Sequence, residues 1–180
     1  SFLKSEGASR VAELQARELS RIGYSVVVYT FESDITPIGY RVKVIDSFIQ
    51  TYAQRLVKLY RAIFPFNLCK CLKICSDLRN TSLIILHQET LVTVAYLAKR
   101  FHNAKLVFWH HHITEPCFMS LGERLYNLII SPFNWRKIKK FDLIASISDH
   151  SRLMLQQNKN IDSIVIYDKI DSTRFNEGNS

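Results

Sequence analysis

Four short runs decide most of what this chain can become: 82-SLIILH-87, 105-KLVFWH-110, 142-DLIASIS-148 and 163-SIVIY-167. Runs such as LIIL and VFW show no polar alternation, so each strand they predict must be covered on both faces, as in a parallel sheet flanked by helices. Helical patterns separate them. Residues 91-LVTVAYLAKRF-101, 121–140 and 149-DHSRLMLQQ-157 carry apolar positions at helical spacing. Upstream, residues 8–23 place Val11, Leu14, Leu19 and Ile22 near a helical period, with Gly23 as a stop. Then come a strand at 24-YSVVVYT-30, a loop holding Pro37 and Gly39, a strand at 41-RVKVI-45, and a helical region from Ser47 to Arg79 interrupted at Pro65. The expected class is α/β: a Rossmann-like parallel sheet with helices on both faces.

At 180 residues the chain is long enough for one ordinary core, and 5 Gly with 4 Pro argue against low complexity. Its net charge of +8 favours an anionic partner, whether nucleic acid, anionic lipid or a phosphorylated small molecule. Cys69, Cys71 and Cys75 are spaced C-x-C-x3-C, which is not a zinc pattern. On a helix Cys71 and Cys75 share a face, so they read as small buried hydrophobes, and such thiols suggest a reducing compartment. No uninterrupted apolar run approaches the ~20 residues that cross a bilayer.

In a sheet of this kind ligands bind beyond the carboxyl ends of the strands. His87 ends one strand, His110 to His112 end the next, and Ser148 ends a third. Gln88, just past a strand end, could meet a hydroxyl, or lie in a solvated loop. Ser148 could equally be the N-cap of the helix at Asp149. Zinc binding by the histidine triplet is a weaker reading, because neighbouring residues on a strand point to opposite sides and no Cys or carboxylate pair completes the set. By the same alternation His112 should share a face with His110. Two basic segments, 52-YAQRLVKLYRAIF-64 and 133-FNWRKIKKF-141, interleave cations with aromatics. That suits contact with an anionic membrane, or an ordinary solvated face above a buried stripe.

Five segments in order resemble the N-terminal domain of GT-B glycosyltransferases of the family-4 type: 7-GASRVAELQARELSRIGYSVVVYT-30, 83-LIILHQETLVTVAYLAKRF-101, 106-LVFWHH-111, 142-DLIASISDHSRLML-155 and 164-IVIYDKIDSTRF-175. Within that family the run F-W-H-H-H, followed by 124-RLYNLIISPFNW-135, looks most like mannosyltransferases that extend dolichol-linked oligosaccharides. The resemblance implies a retaining transfer of a hexose, such as mannose, from a nucleotide-sugar to a lipid-linked or other saccharide. It implies no cofactor and no metal, with GDP-mannose a candidate donor. His110 would be the catalytic-site histidine, bonding the transferred sugar or acceptor, against the bland reading of a strand-end histidine satisfied by backbone. Gly7 would bring a helix N-terminus to a phosphate or acceptor oxygen, against the bland reading of a turn glycine. Gln88, His112 and Ser148 would line the substrate site.

Residues 1–175 would then form the acceptor-side domain, with its first strand lying upstream, and 176–180 would start an interdomain linker. A donor-binding domain would follow, and the 180 residues alone would transfer nothing. The expected setting is cytoplasmic, peripheral on a cytosolic membrane face. Two rivals stand beside this reading: a non-catalytic subunit that binds acceptor and recruits a catalytic partner to the membrane, and a nucleic-acid-binding α/β domain. The second rival lacks any motif that reads bases, so no nucleic acid is expected.

Overall fold

The computed structural model describes residues 7–45, 60–111 and 121–167. Two compact units divide the chain: residues 1–51 with 167–180, and residues 52–166.

In the first unit, helix α1 (Gly7–Arg21) precedes strands β1 (Val27–Thr30) and β2 (Arg41–Val44). The strands pair in parallel, Val27 beside Arg41 through Thr30 beside Val44. Gly23, at φ +101, ends the helix in the left-handed region that a Cβ would disfavour, and the amide of Tyr24 reaches back to the carbonyl of Leu19 at 3.0 Å. One expectation fails here. The stripe Val11, Leu14, Leu19 and Ile22 is not the buried face: Ser9, Glu13 and Ala16 are buried, and Ile22 is 63% exposed. Ala12 and Ala16 are small enough to let the helix close on Val26, Val28 and Val42. The Glu13 carboxylate can sit inside because Arg10 and Arg17, one turn to either side, bond it at 2.7 and 2.5 Å.

The second unit holds the helical residues 60–63, a 3-10 turn at Phe64–Phe66, α2 (Leu68–Asp77), β3 (Leu83–Leu86), a 3-10 turn at Glu89–Leu91, α3 (Val92–His102), β4 (Lys105–His110), α4 (Leu121–Ile129), α5 (Ser131–Ile138), β5 (Leu143–Ser146), α6 (Asp149–Lys159) and β6 (Ile164–Val165). All four strands run parallel in the order β3-β4-β5-β6. The chain is therefore α/β with a Rossmann-like parallel sheet. Its main core joins Leu86, Leu106 and Phe108 of the sheet to Val92 and Ala95 of α3, Trp135 and Ile138 of α5, and Leu155 of α6.

Local chemistry sets the boundaries. The helical stretch expected across 121–140 is two helices, because Pro132 cannot donate to the turn before it and restarts the helix at Ser131. Asn103 and Asn160 end α3 and α6 at φ 56 and 51, where Asn is the commonest non-glycine residue. Asp142 ties two strands: its Oδ2 accepts from the Leu106 amide at 2.8 Å and meets Lys99 Nζ at 3.0 Å. The Leu106 amide, with Lys99 and Lys105 beside it, holds that carboxyl below its usual range. Cys71 and Cys75 are buried in α2 as expected, whereas Cys69 is exposed. Burial pushes the Cys71 thiol up to about 11.

Candidate functional site

The pleat of β4 splits its histidines between two faces of the sheet. Leu106, Phe108 and His110 face the helical layer, and His110 is only 4% exposed. Its ring stacks on Phe108 with centroids 6.2 Å apart and meets Trp135 edge-on at 6.1 Å. The imidazole is thus oriented by aromatic rings at the carboxyl end of a strand.

His87, at the end of β3, pairs with His111, just past β4: Nδ1 of one lies 3.0 Å from Nε2 of the other. Their rings stack at 5.3 Å, with Trp109 at 6.2 Å from His87. One nitrogen must donate and the other accept. Burial, and then the neighbouring His111, pull the His87 pKa down to about 3, so the ring stays neutral. Trp109 buries its indole Nε1 with no acceptor among the described residues. The Ser151 hydroxyl donates to the His111 carbonyl at 3.1 Å.

Beside His110 lies a polar cluster with no counterpart among the residues expected from the sequence. Glu89 Oε2 accepts from Tyr126 and Ser131 hydroxyls, both at 3.3 Å, and from Asn134 Nδ2 at 3.4 Å. Asn134 Nδ2 also donates to the Tyr126 oxygen at 3.1 Å. Burial raises the Glu89 carboxyl above its ordinary range, only partly opposed by these donors and by Lys159. Burial, and then Glu89, push the Tyr126 phenol upward as well. Lys159 stands 5.5 Å over the Trp135 ring, the ring that His110 also touches. Trp135 therefore links the histidine to the carboxylate cluster. In the sequence, the trace of this arrangement is that Tyr126, Ser131 and Asn134, with Asn127, interrupt a largely apolar stretch.

The other expected residues fall as follows. Gly7 opens α1 in the first unit, exposed, with nothing within 4 Å of where a Cβ would sit. Gln88 is exposed, in extended backbone just before the 3-10 turn at Glu89. Ser148 caps α6, its Oγ accepting from the Ser151 amide at 3.1 Å, a bond that does not use its hydroxyl hydrogen. His112 lies outside the described residues, as do residues 52–59 of the first basic segment. Among the described residues no three His, Cys, Asp or Glu side chains group to hold a metal. No described helix is long and apolar enough to cross a membrane.

In comparison with known families, the model of Glycosyltransferase Family 4 matches residues 5–174. No curated protein sequence matches the chain.

Proposed function

We propose, on the premise that the chain belongs to glycosyltransferase family 4, that it is the acceptor-side domain of a retaining, metal-independent hexosyltransferase. The reading is carried by the family match over residues 5–174. The donor would be a nucleotide-sugar such as GDP-mannose, held by a second domain, and the acceptor a lipid-linked or other saccharide on a cytosolic membrane face. An acceptor hydroxyl replaces the nucleotide diphosphate at the anomeric carbon, the hydroxyl proton is lost, and the new bond keeps the old configuration.

His110 is assigned to the transferred sugar or the acceptor hydroxyl. A ring already held by Phe108 and Trp135 loses little freedom when it forms such a bond. Gly7, Gln88, His112 and Ser148 are assigned to substrate contact. The exposure of Gly7 and Gln88 supports this for those two, and the unspent hydroxyl hydrogen of Ser148 leaves it able to donate.

The test is hexose transfer by the chain joined to its donor-binding domain, measured for the parent, His110→Ala and His110→Phe. Phenylalanine keeps the contacts with Phe108 and Trp135 while removing both nitrogens. Its kcat/KM should fall by roughly a hundredfold with the fold intact. Parental activity in His110→Phe removes His110 from the site. The 180 residues alone should transfer nothing.

A further inference from the structure

The donors that hold Glu89 all address one of its two oxygens. Oε2 accepts from Tyr126, Ser131 and Asn134, whereas Oε1 meets no donor among the described residues. Nor is Oε1 one of the buried atoms left without a partner, so it keeps contact with solvent. A carboxylate has room for about four donors over its two oxygens, and gathering the bonds on one leaves the other unspent. That oxygen is also held still. Ser131 and Asn134 are wholly buried in α5, and with Tyr126 of α4 they fix the carboxylate to a helix pair rather than to a loop.

Glu89 stands on the working rim of the sheet. It follows the carboxyl end of β3 as His110 ends β4, and the two strands are neighbours. Helix α5 meets both residues: Ser131 and Asn134 bond Glu89, while Trp135 lies edge-on to His110. The carboxylate and the imidazole therefore share one side of the sheet and one end of it.

The surroundings select what Oε1 can take. No Asp or Glu occurs from Arg124 to Lys140, and Lys159 is near enough to draw the Glu89 pKa down. A cationic ligand would meet that positive field, and among the described residues no three metal-ligating side chains gather to hold an ion. A neutral donor, the hydroxyl, is the partner left. Burial still raises the Glu89 carboxyl in spite of its bonds, so one more donor would stabilise a charge that is short of them.

We propose that Glu89 is a specificity-determining residue of the acceptor site, its Oε1 accepting a hydrogen bond from one hydroxyl of the acceptor saccharide. The proposal rests on the transfer reading and adds a residue to it, with His110 and Glu89 approaching the sugar from adjacent strands. A saccharide lacking that hydroxyl leaves the carboxylate oxygen desolvated and unpaired, which is how a polar site rejects a deoxy analogue.

The experiment measures kcat and KM for hexose transfer by the chain joined to its donor-binding domain, with methyl α-mannoside, methyl α-glucoside and their monodeoxy analogues as acceptors. In the parent, loss of one particular hydroxyl should raise KM roughly tenfold to a hundredfold. Glu89→Gln keeps an oxygen for Tyr126, Ser131 and Asn134 but presents an NH2 donor in place of Oε1. Its KM for the intact acceptor should rise by a similar factor with kcat and fold unchanged, and it should treat the matching deoxy analogue like the intact sugar. Ser131→Ala, which removes one donor from Oε2 and strands none, should raise KM several-fold with kcat kept. A parental KM in Glu89→Gln, or the same deoxy penalty in both proteins, overturns the proposal and leaves the transfer reading standing. So does a loss confined to kcat and melting temperature, which would make Glu89 a structural tie. A parent that transfers nothing sinks the transfer reading instead, and NMR titration with the same sugars then decides: binding by the parent that Glu89→Gln lacks keeps the assignment, and absent or equal binding overturns it.

Discussion

Two part-buried titrating side chains pull the stability of the second unit in opposite directions with pH. His87 has a folded pKa near 3 against an ordinary 6.5, so the unfolded chain takes up a proton that the folded one refuses. Its contribution is whole above 6.5 and is lost as pH falls toward 3. His87→Phe should flatten the fall in unfolding free energy between pH 6.5 and the carboxylate range, where the parent loses at most about 1.4 kcal/mol per pH unit through this group. An unchanged slope in urea titrations would show that the ring is solvated. Glu89 works the other way: its pKa is raised, so the folded state holds the proton longer, and stability declines as pH rises from the ordinary 4.5 through the folded value. Glu89→Gln should remove that decline and remain folded at neutral pH. Glu89→Leu should cost about 1–3 kcal/mol for each donor it strands among Tyr126, Ser131 and Asn134. His87 reads in the sequence as a strand-end residue, but neither its partner nor the donors to Glu89 can be read there. Tyr126 lies 37 residues from Glu89 and His111 lies 24 from His87, distances that only the sheet closes.

The elements were far more legible than their partners. Strand β4 falls at 105–110 as expected, and α3 and α6 agree within two residues at each end, because an unbroken apolar run or a helical period is a local property that packing then rewards. The failures came where packing overruled pattern. In α1 the apolar stripe is not the buried face, since paired arginines allow Glu13 inward. In α4 and α5 three inward polar groups, Tyr126, Ser131 and Asn134, are satisfied by one carboxylate that no periodicity announces. The two asparagine stops also yield to a test. Asn160 sits at φ 51 after α6, so Asn160→Val should cost about 1–2 kcal/mol, whereas Asn160→Gly should be neutral or slightly stabilising. Thermal melts decide it, and equal melting temperatures for Val and Gly would mean that the turn relaxes.

At the scale of the molecule, fold class and family were legible because they depend on the order of elements, which survives changes in any one residue. The histidine rim was legible as a location, but the sequence could not tell that His110 turns toward aromatic rings while His111 turns toward His87. The four-stranded sheet has one further property: its rungs are unevenly shared. β4 aligns with four residues on each neighbour, but β6 offers only Ile164 and Val165 to β5. The sheet should therefore fray from that margin. In hydrogen exchange, Ile166, whose amide bonds the Ser146 carbonyl, should lose protection well before Phe108 and Trp109. Opening would begin beside Ser146 and Ser163, whose hydroxyls lie 2.7 Å apart, one strand from His110, the register partner of Ser146.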